Sequence, residues 1–146
     1  MVDSAVEGTR ETAAGKASAQ PQGPEPLVLV VDDEVNFARR LKMEFEEAGF
    51  KAHAVHCGTD ALGFVAKTPP DLIVLDVRMP GMDGLECLHQ LRGGGESAKT
   101  PVILLTGDTS PRVDAAALIH HGCLVVSKPV SYRTVIRIAS RMLAAA

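Results

Sequence analysis

Short apolar runs alternate along this chain with stripes of apolar residues at helical spacing. Leu27–Val31 is continuous, apolar and rich in β-branched residues, as a strand buried on both faces should be. Phe37, Leu41, Phe45 and Ala48 then recur at helix spacing, with Arg39, Arg40, Glu44 and Glu47 mainly on the opposite side. Gly49 follows, where a left-handed C-terminal cap favours glycine. Lys51–His56 is the least apolar of the strand candidates and is expected at a sheet edge. Thr59 is placed to cap a short helix through Lys67, with Ala61, Leu62 and Val65 inward and Pro69-Pro70 ending it.

The second half repeats the alternation. Leu72–Leu75 carries the strongest buried-strand signal, and Leu85, Leu88 and Leu91 mark a helix that stops at Gly93-Gly94-Gly95. Val102–Leu105 is the next strand; Ser110-Pro111 reads as N-cap and first helical residue of a helix running to about His121. Leu124–Ser127 is the last strand, and Ser131 is placed to cap a final helix with Val135, Ala139 and Met142 on one face. Five strand–helix units with short connections imply an α/β fold, a parallel sheet with helices on both faces.

Polar residues interrupt this plan at one kind of place. Asp32-Asp33, Asp76, Thr106 and Lys128 each follow an apolar strand directly, at the edge of an open parallel sheet where ligands bind. Taken singly, each is an ordinary turn, cap or surface residue. Jointly they bring acids, a hydroxyl and an ammonium to one edge. Transfer of a phosphoryl group needs little covalent help and much positioning and charge neutralisation. Asp76 is therefore assigned as the nucleophile that accepts a phosphoryl group. Asp32 and Asp33 supply hard oxygen ligands suited to Mg²⁺, Lys128 a counter-charge, and Thr106 a hydrogen-bond donor.

Composition narrows the setting. With 146 residues, 46% hydrophobic and 23% charged, the chain has room for one domain and one core. Aromatics make up 3%, so that core must be aliphatic. A net charge of −3 gives no electrostatic reason to expect nucleic acid or an anionic membrane. Residues 1–26 hold hardly a large apolar residue and read as a disordered tail without a secretory signal, leaving 27–146 as the folded domain in the cytoplasm. Cys57, Cys87 and Cys123 read as buried or inert thiols of a reducing compartment. His120-His121 with Cys123 lack the spacing of a zinc site and read as solvated helix ends.

Val30-Val31-Asp32-Asp33-Glu34, the stretch Leu75–Gly84 with its D-x-x-M-P-x-M-D-G pattern, Leu104-Leu105-Thr106-Gly107 and Ser127-Lys128-Pro129 together resemble the receiver domain of two-component response regulators. The resemblance covers about residues 27–143. It implies a flavodoxin-like, doubly wound five-stranded sheet in the order 2-1-3-4-5. It implies that Asp76 takes its phosphoryl group from a phosphohistidine on a sensor kinase or phosphotransfer protein. Asp33, Asp76 and the backbone carbonyl of Arg78 would bind Mg²⁺ directly, with Asp32 nearby through water. Thr106 would move toward the phosphoryl group, Lys128 would pair with it, and the Lys128–Pro129 peptide would be cis. Gly84 would open the helix after the site loop.

Two departures from the family pattern stand out. Val125 occupies the place of the usual Tyr or Phe three residues before the lysine, and Val130 replaces a common Phe. The chemistry is thus expected intact, while the usual route to the outer surface lacks its ring. The expected function is a single-domain switch: no conventional enzyme, but a phosphoprotein that changes what downstream protein it binds, as a monomer or a phosphorylation-dependent dimer. A docking module indifferent to phosphorylation is the alternative. A haloacid-dehalogenase-type phosphatase would want a second Asp where Arg78 stands, and a DNA-binding regulator would need an output helix-turn-helix. Arg78 and Asp108 are further expected to approach each other across the mouth of the site.

Overall fold

A computed structural model describes residues 25–107, 111–120 and 122–145. Its elements alternate: β1 (Leu27–Val31), α1 (Val35–Glu47), β2 (Lys51–Val55), α2 (Gly58–Lys67), β3 (Leu72–Asp76), α3 (Gly84–Arg92), β4 (Val102–Thr106), α4 (Pro111–Ile119), β5 (Cys123–Ser127) and α5 (Tyr132–Ala145). All neighbouring strands are parallel, in the order β2-β1-β3-β4-β5. The expected flavodoxin-like arrangement is the one the chain adopts. The tail assigned to residues 1–26 lies, up to residue 24, outside the described residues.

Burial explains the order. β3 and β4 are buried at every position, and β1 at all but its first, so these three apolar runs occupy the centre. β2, with Lys51 and His53 exposed, takes one edge, as its composition requires, and β5 takes the other. Because strand side chains alternate, the sheet divides its apolar residues between two layers. Leu29, Val31, Ile73, Leu75 and Leu104 meet α2 and α3 through Ala61, Val65, Cys87, Leu88 and Leu91. Val28, Val30, Leu72, Val74, Ile103 and Leu105 meet α1 and α5 through Ala38, Leu41, Phe45, Val135 and Ala139. Phe45 is fully buried and meets Phe50 edge-on at 5.3 Å. Truncating such a ring costs about 3–5 kcal/mol.

Helix ends follow local chemistry, with corrections to the expectations. Gly49 has φ 99° just after the cap of α1, and the Ser131 hydroxyl accepts the Thr134 N–H at 3.1 Å to cap α5. Thr59 is not the cap of α2: extended Cys57 is, with no side-chain bond. The helix begins earlier, at Gly58, with the Ala61 N–H donating to Cys57 O at 3.1 Å; a Cβ at Gly58 would stand 2.8 Å from Met82 Sδ. Helix α4 ends at Ile119 rather than His121, and Ser110, its expected cap, lies outside the described residues, as does His121. Among the described residues no helix is long and apolar enough to cross a membrane.

Candidate functional site

Parallel pairing lines up the strand ends. Asp32 leaves β1 with its N–H donating to Val55 O at 3.1 Å, and Val77 leaves β3 donating to Leu105 O at 3.1 Å. Lys128 leaves β5 donating to Thr106 O at 2.9 Å. The sheet's own hydrogen bonds thus carry Asp32, Asp76, Thr106 and Lys128 to one edge. The Lys128–Pro129 peptide is cis.

At that edge the Lys128 ammonium lies 3.2 Å from Asp32 Oδ2 and 3.2 Å from Asp76 Oδ1. The other Asp32 oxygen, Oδ1, accepts the Glu34 N–H at 2.9 Å. Asp32, Asp76 and Thr106 are buried, whereas Asp33 is exposed at the rim. Phe37 places its ring 5.0 Å from the Lys128 ammonium, on the side where α1 meets the site. Thr106 stands one step along β4 beyond Leu105, the residue in register with Asp76.

Electrostatics single out Asp76. Burial first, then the neighbouring charge of Asp32 and more weakly that of Asp33, push its carboxyl up to about 6, although Lys128 pulls the other way. Burial also opposes a charge on Lys128, but Asp32 and Asp76 outweigh it and hold the ammonium above its ordinary pKa. Asp32, Asp33 and Asp76 each offer an oxygen within 4.8 Å of the others. Three crowded carboxylates facing one lysine leave excess negative charge. Their hard oxygens, one of them open to solvent, fit Mg²⁺, which keeps several waters and takes few protein ligands. Among the described residues no other group of His, Cys, Asp or Glu is gathered this way; His121 of the His120–Cys123 stretch lies outside the described residues.

The structure also recruits residues that sequence reading passed over. His56, just past β2, contacts the Asp32 carbonyl through Nδ1 at 3.1 Å. The rule applied to the other strands, that polar residues at this edge count, would have found it. Asp83 caps α3 by accepting the Glu86 N–H at 2.9 Å, and its other oxygen lies 3.0 Å from Arg112 on the first turn of α4. Burial works against a charge on Asp83, yet the Glu86 N–H and Arg112 together hold its carboxyl below the ordinary range. Arg78 and Arg112 line one cleft of about 400 Å³ with Val77, Met79, Pro80 and Asp83. Asp108, expected opposite Arg78, lies outside the described residues. Val125 pairs with Leu104 in the sheet and packs half-buried on the α2–α3 side, and Val130 packs on the other.

Residues 28–140 match the family model described as the response regulator receiver domain. The chain is 42% identical over 79 residues to the regulatory protein AtoC of Escherichia coli, covering 54% of this chain and 17% of that one. It is 38% identical over 91 residues to the response regulator MprA of Mycobacterium tuberculosis, covering 62% of this chain and 39% of that one. It thus spans less than half the length of these curated relatives. The receiver domain of Francisella response regulator 1452 superposes with a TM-score of 0.74 at 31% identity, covering 82% of this chain and 98% of that one.

Proposed function

The chain belongs to the response regulator receiver family, and on that premise we propose that Asp76 accepts a phosphoryl group and thereby switches what the protein binds. The donor is a phosphohistidine on a sensor kinase or phosphotransfer protein, in the cytoplasm. The observation that carries this reading is Lys128 bridging Asp32 and Asp76 at 3.2 Å each, beside a third carboxylate.

The residues divide the work. One oxygen of Asp76 is engaged by Lys128, which leaves the other to attack phosphorus. An O–P bond forms as the P–N bond of the donor breaks, and the electron pair returns to the imidazole. Above pH 6 Asp76 is mainly ionised, hence nucleophilic. Asp33 and Asp76, with the Arg78 carbonyl, would hold Mg²⁺, with Asp32 acting through water because both its oxygens already have partners. The ion supplies charge neutralisation for the carboxylates and the incoming phosphoryl oxygens. Lys128 then exchanges a carboxylate for a phosphoryl oxygen, and the buried Thr106 hydroxyl donates to another. The protein catalyses a change on itself and is not an enzyme in the conventional sense.

A second reading, a docking module indifferent to phosphorylation, is favoured by one observation: β5 carries no aromatic residue. Intact mass decides between them. Wild type incubated with Mg²⁺ and acetyl phosphate should gain one phosphoryl mass that Asp76→Asn does not. A folded wild type that gains none supports the docking module.

A further inference from the structure

Helix α4 follows Thr106, the last residue of β4, after a short connection. Among the described residues it also meets the surroundings of the site through Val113, buried in one apolar cluster with Val77 and Met79, and through Arg112, which crosses the cleft to Asp83 at 3.0 Å. Asp83 is no isolated surface acid. It caps α3, and the next residue, Gly84, donates its N–H to Val77 O at 2.8 Å and packs against the Asp76 carbonyl. Pulling on Arg112 therefore pulls on the loop that follows Asp76.

We infer that Arg112 is a positioning residue that couples α4 to the phosphorylation loop through Asp83, in place of the aromatic ring that β5 lacks. The inference rests on the phosphoacceptor reading. Val125 and its neighbours Leu124 and Val126 have no ring to rotate inward when Thr106 moves. A phosphoryl dianion on Asp76 adds negative charge next to Val77, a residue that lines one cleft with Arg78 and Arg112. Arg112 then has a second anion competing with Asp83, which loosens the tie and frees the start of α4.

The test uses the full chain, Mg²⁺ and beryllofluoride, which mimics a carboxylate-bound phosphoryl group, with fluorine NMR to report uptake and amide hydrogen exchange to report α4. Asp83→Asn keeps a good helix cap and removes the charge; Arg112→Ala removes the partner. Without beryllofluoride each variant should exchange faster than wild type across residues 113–119, by about two- to fivefold, the range an exposed ion pair supports. The double variant should add nothing further. Beryllofluoride should accelerate the wild type toward the variants' rate and leave the variants nearly unchanged. Independent, additive effects of the two substitutions, or an equal response in all variants that take up beryllofluoride, overturn the coupling and leave Asp76 as acceptor. A wild type that takes up no beryllofluoride removes the acceptor reading itself.

Discussion

The carbonyl oxygen of Asp76 stands where Gly84 would carry a Cβ, and Val77 Cα would lie 2.8 Å from that same atom. The first turn of α3 is thus packed directly on the backbone of the acceptor strand. Gly84→Ala sets two effects against each other: about 1 kcal/mol gained in helix propensity and about 1–3 kcal/mol lost to overpacking. The obstacle here is backbone, which cannot rotate away, so the clash wins. We expect a net loss of about 1–2 kcal/mol in urea denaturation, with slower phosphorylation from acetyl phosphate because the loop after Asp76 must shift.

The raised Asp76 carboxyl makes the metal-free protein pH-sensitive in a defined direction. Its folded-state value of about 6 lies above the ordinary 3.8, so between these two the native state binds more protons than the unfolded chain. Stability from this group is therefore present at low pH and is lost as pH rises through about 6. Asp76→Asn, which is neutral throughout, should be more stable than wild type at pH 7.5 by roughly 2–3 kcal/mol. The gap should close near pH 4. Denaturation curves at the two pH values check it, and Mg²⁺ should narrow the gap at pH 7.5 by relieving the same repulsion.

Most of the fold was legible because each cause is local and periodic. Leu72–Asp76 is apolar at every position before its acid, and a strand buried on both faces reads that way. Lys51 and His53 betrayed the edge strand by being tolerable only in solvent. The site was legible because strand ends are fixed points along the chain, so Asp32, Asp76, Thr106 and Lys128 could be placed without knowing any distance. What stayed hidden depends on side chains meeting across the fold. Arg112 reaching Asp83, 29 residues away, has no periodic signature. Thr59 misled because a hydroxyl near a helix start is the usual cap signal, whereas this helix starts from extended Cys57, which caps it without a side-chain bond.

Asp33 separates metal binding from stability. It is exposed, unlike the buried Asp32, whose oxygens bond Lys128 and the Glu34 N–H. Asp33→Asn should therefore leave the metal-free stability within about 0.5 kcal/mol of wild type. It should also weaken Mg²⁺ by at least about tenfold, since a charged ligand is removed from a site of few ligands. The Mg²⁺-induced rise in Tm, followed at several concentrations, reads both quantities at once.

Lys128 bridges both buried carboxylates at 3.2 Å, so its removal tests how the site is held together. In Lys128→Ala, Asp32 and Asp76 face each other without that charge, and breaking a buried pair costs about 3–5 kcal/mol when the remaining charge persists. Asp76 can escape part of that cost by taking up a proton. The loss should therefore be largest at pH 8 and smaller at pH 5. In the Asp76→Asn background the same substitution should cost much less, because one of the two carboxylates is already gone. A double-mutant cycle in urea at pH 8 measures this coupling. Equal costs of Lys128→Ala in both backgrounds would show that the ammonium and the Asp76 carboxylate stabilise the fold independently, contrary to the geometry.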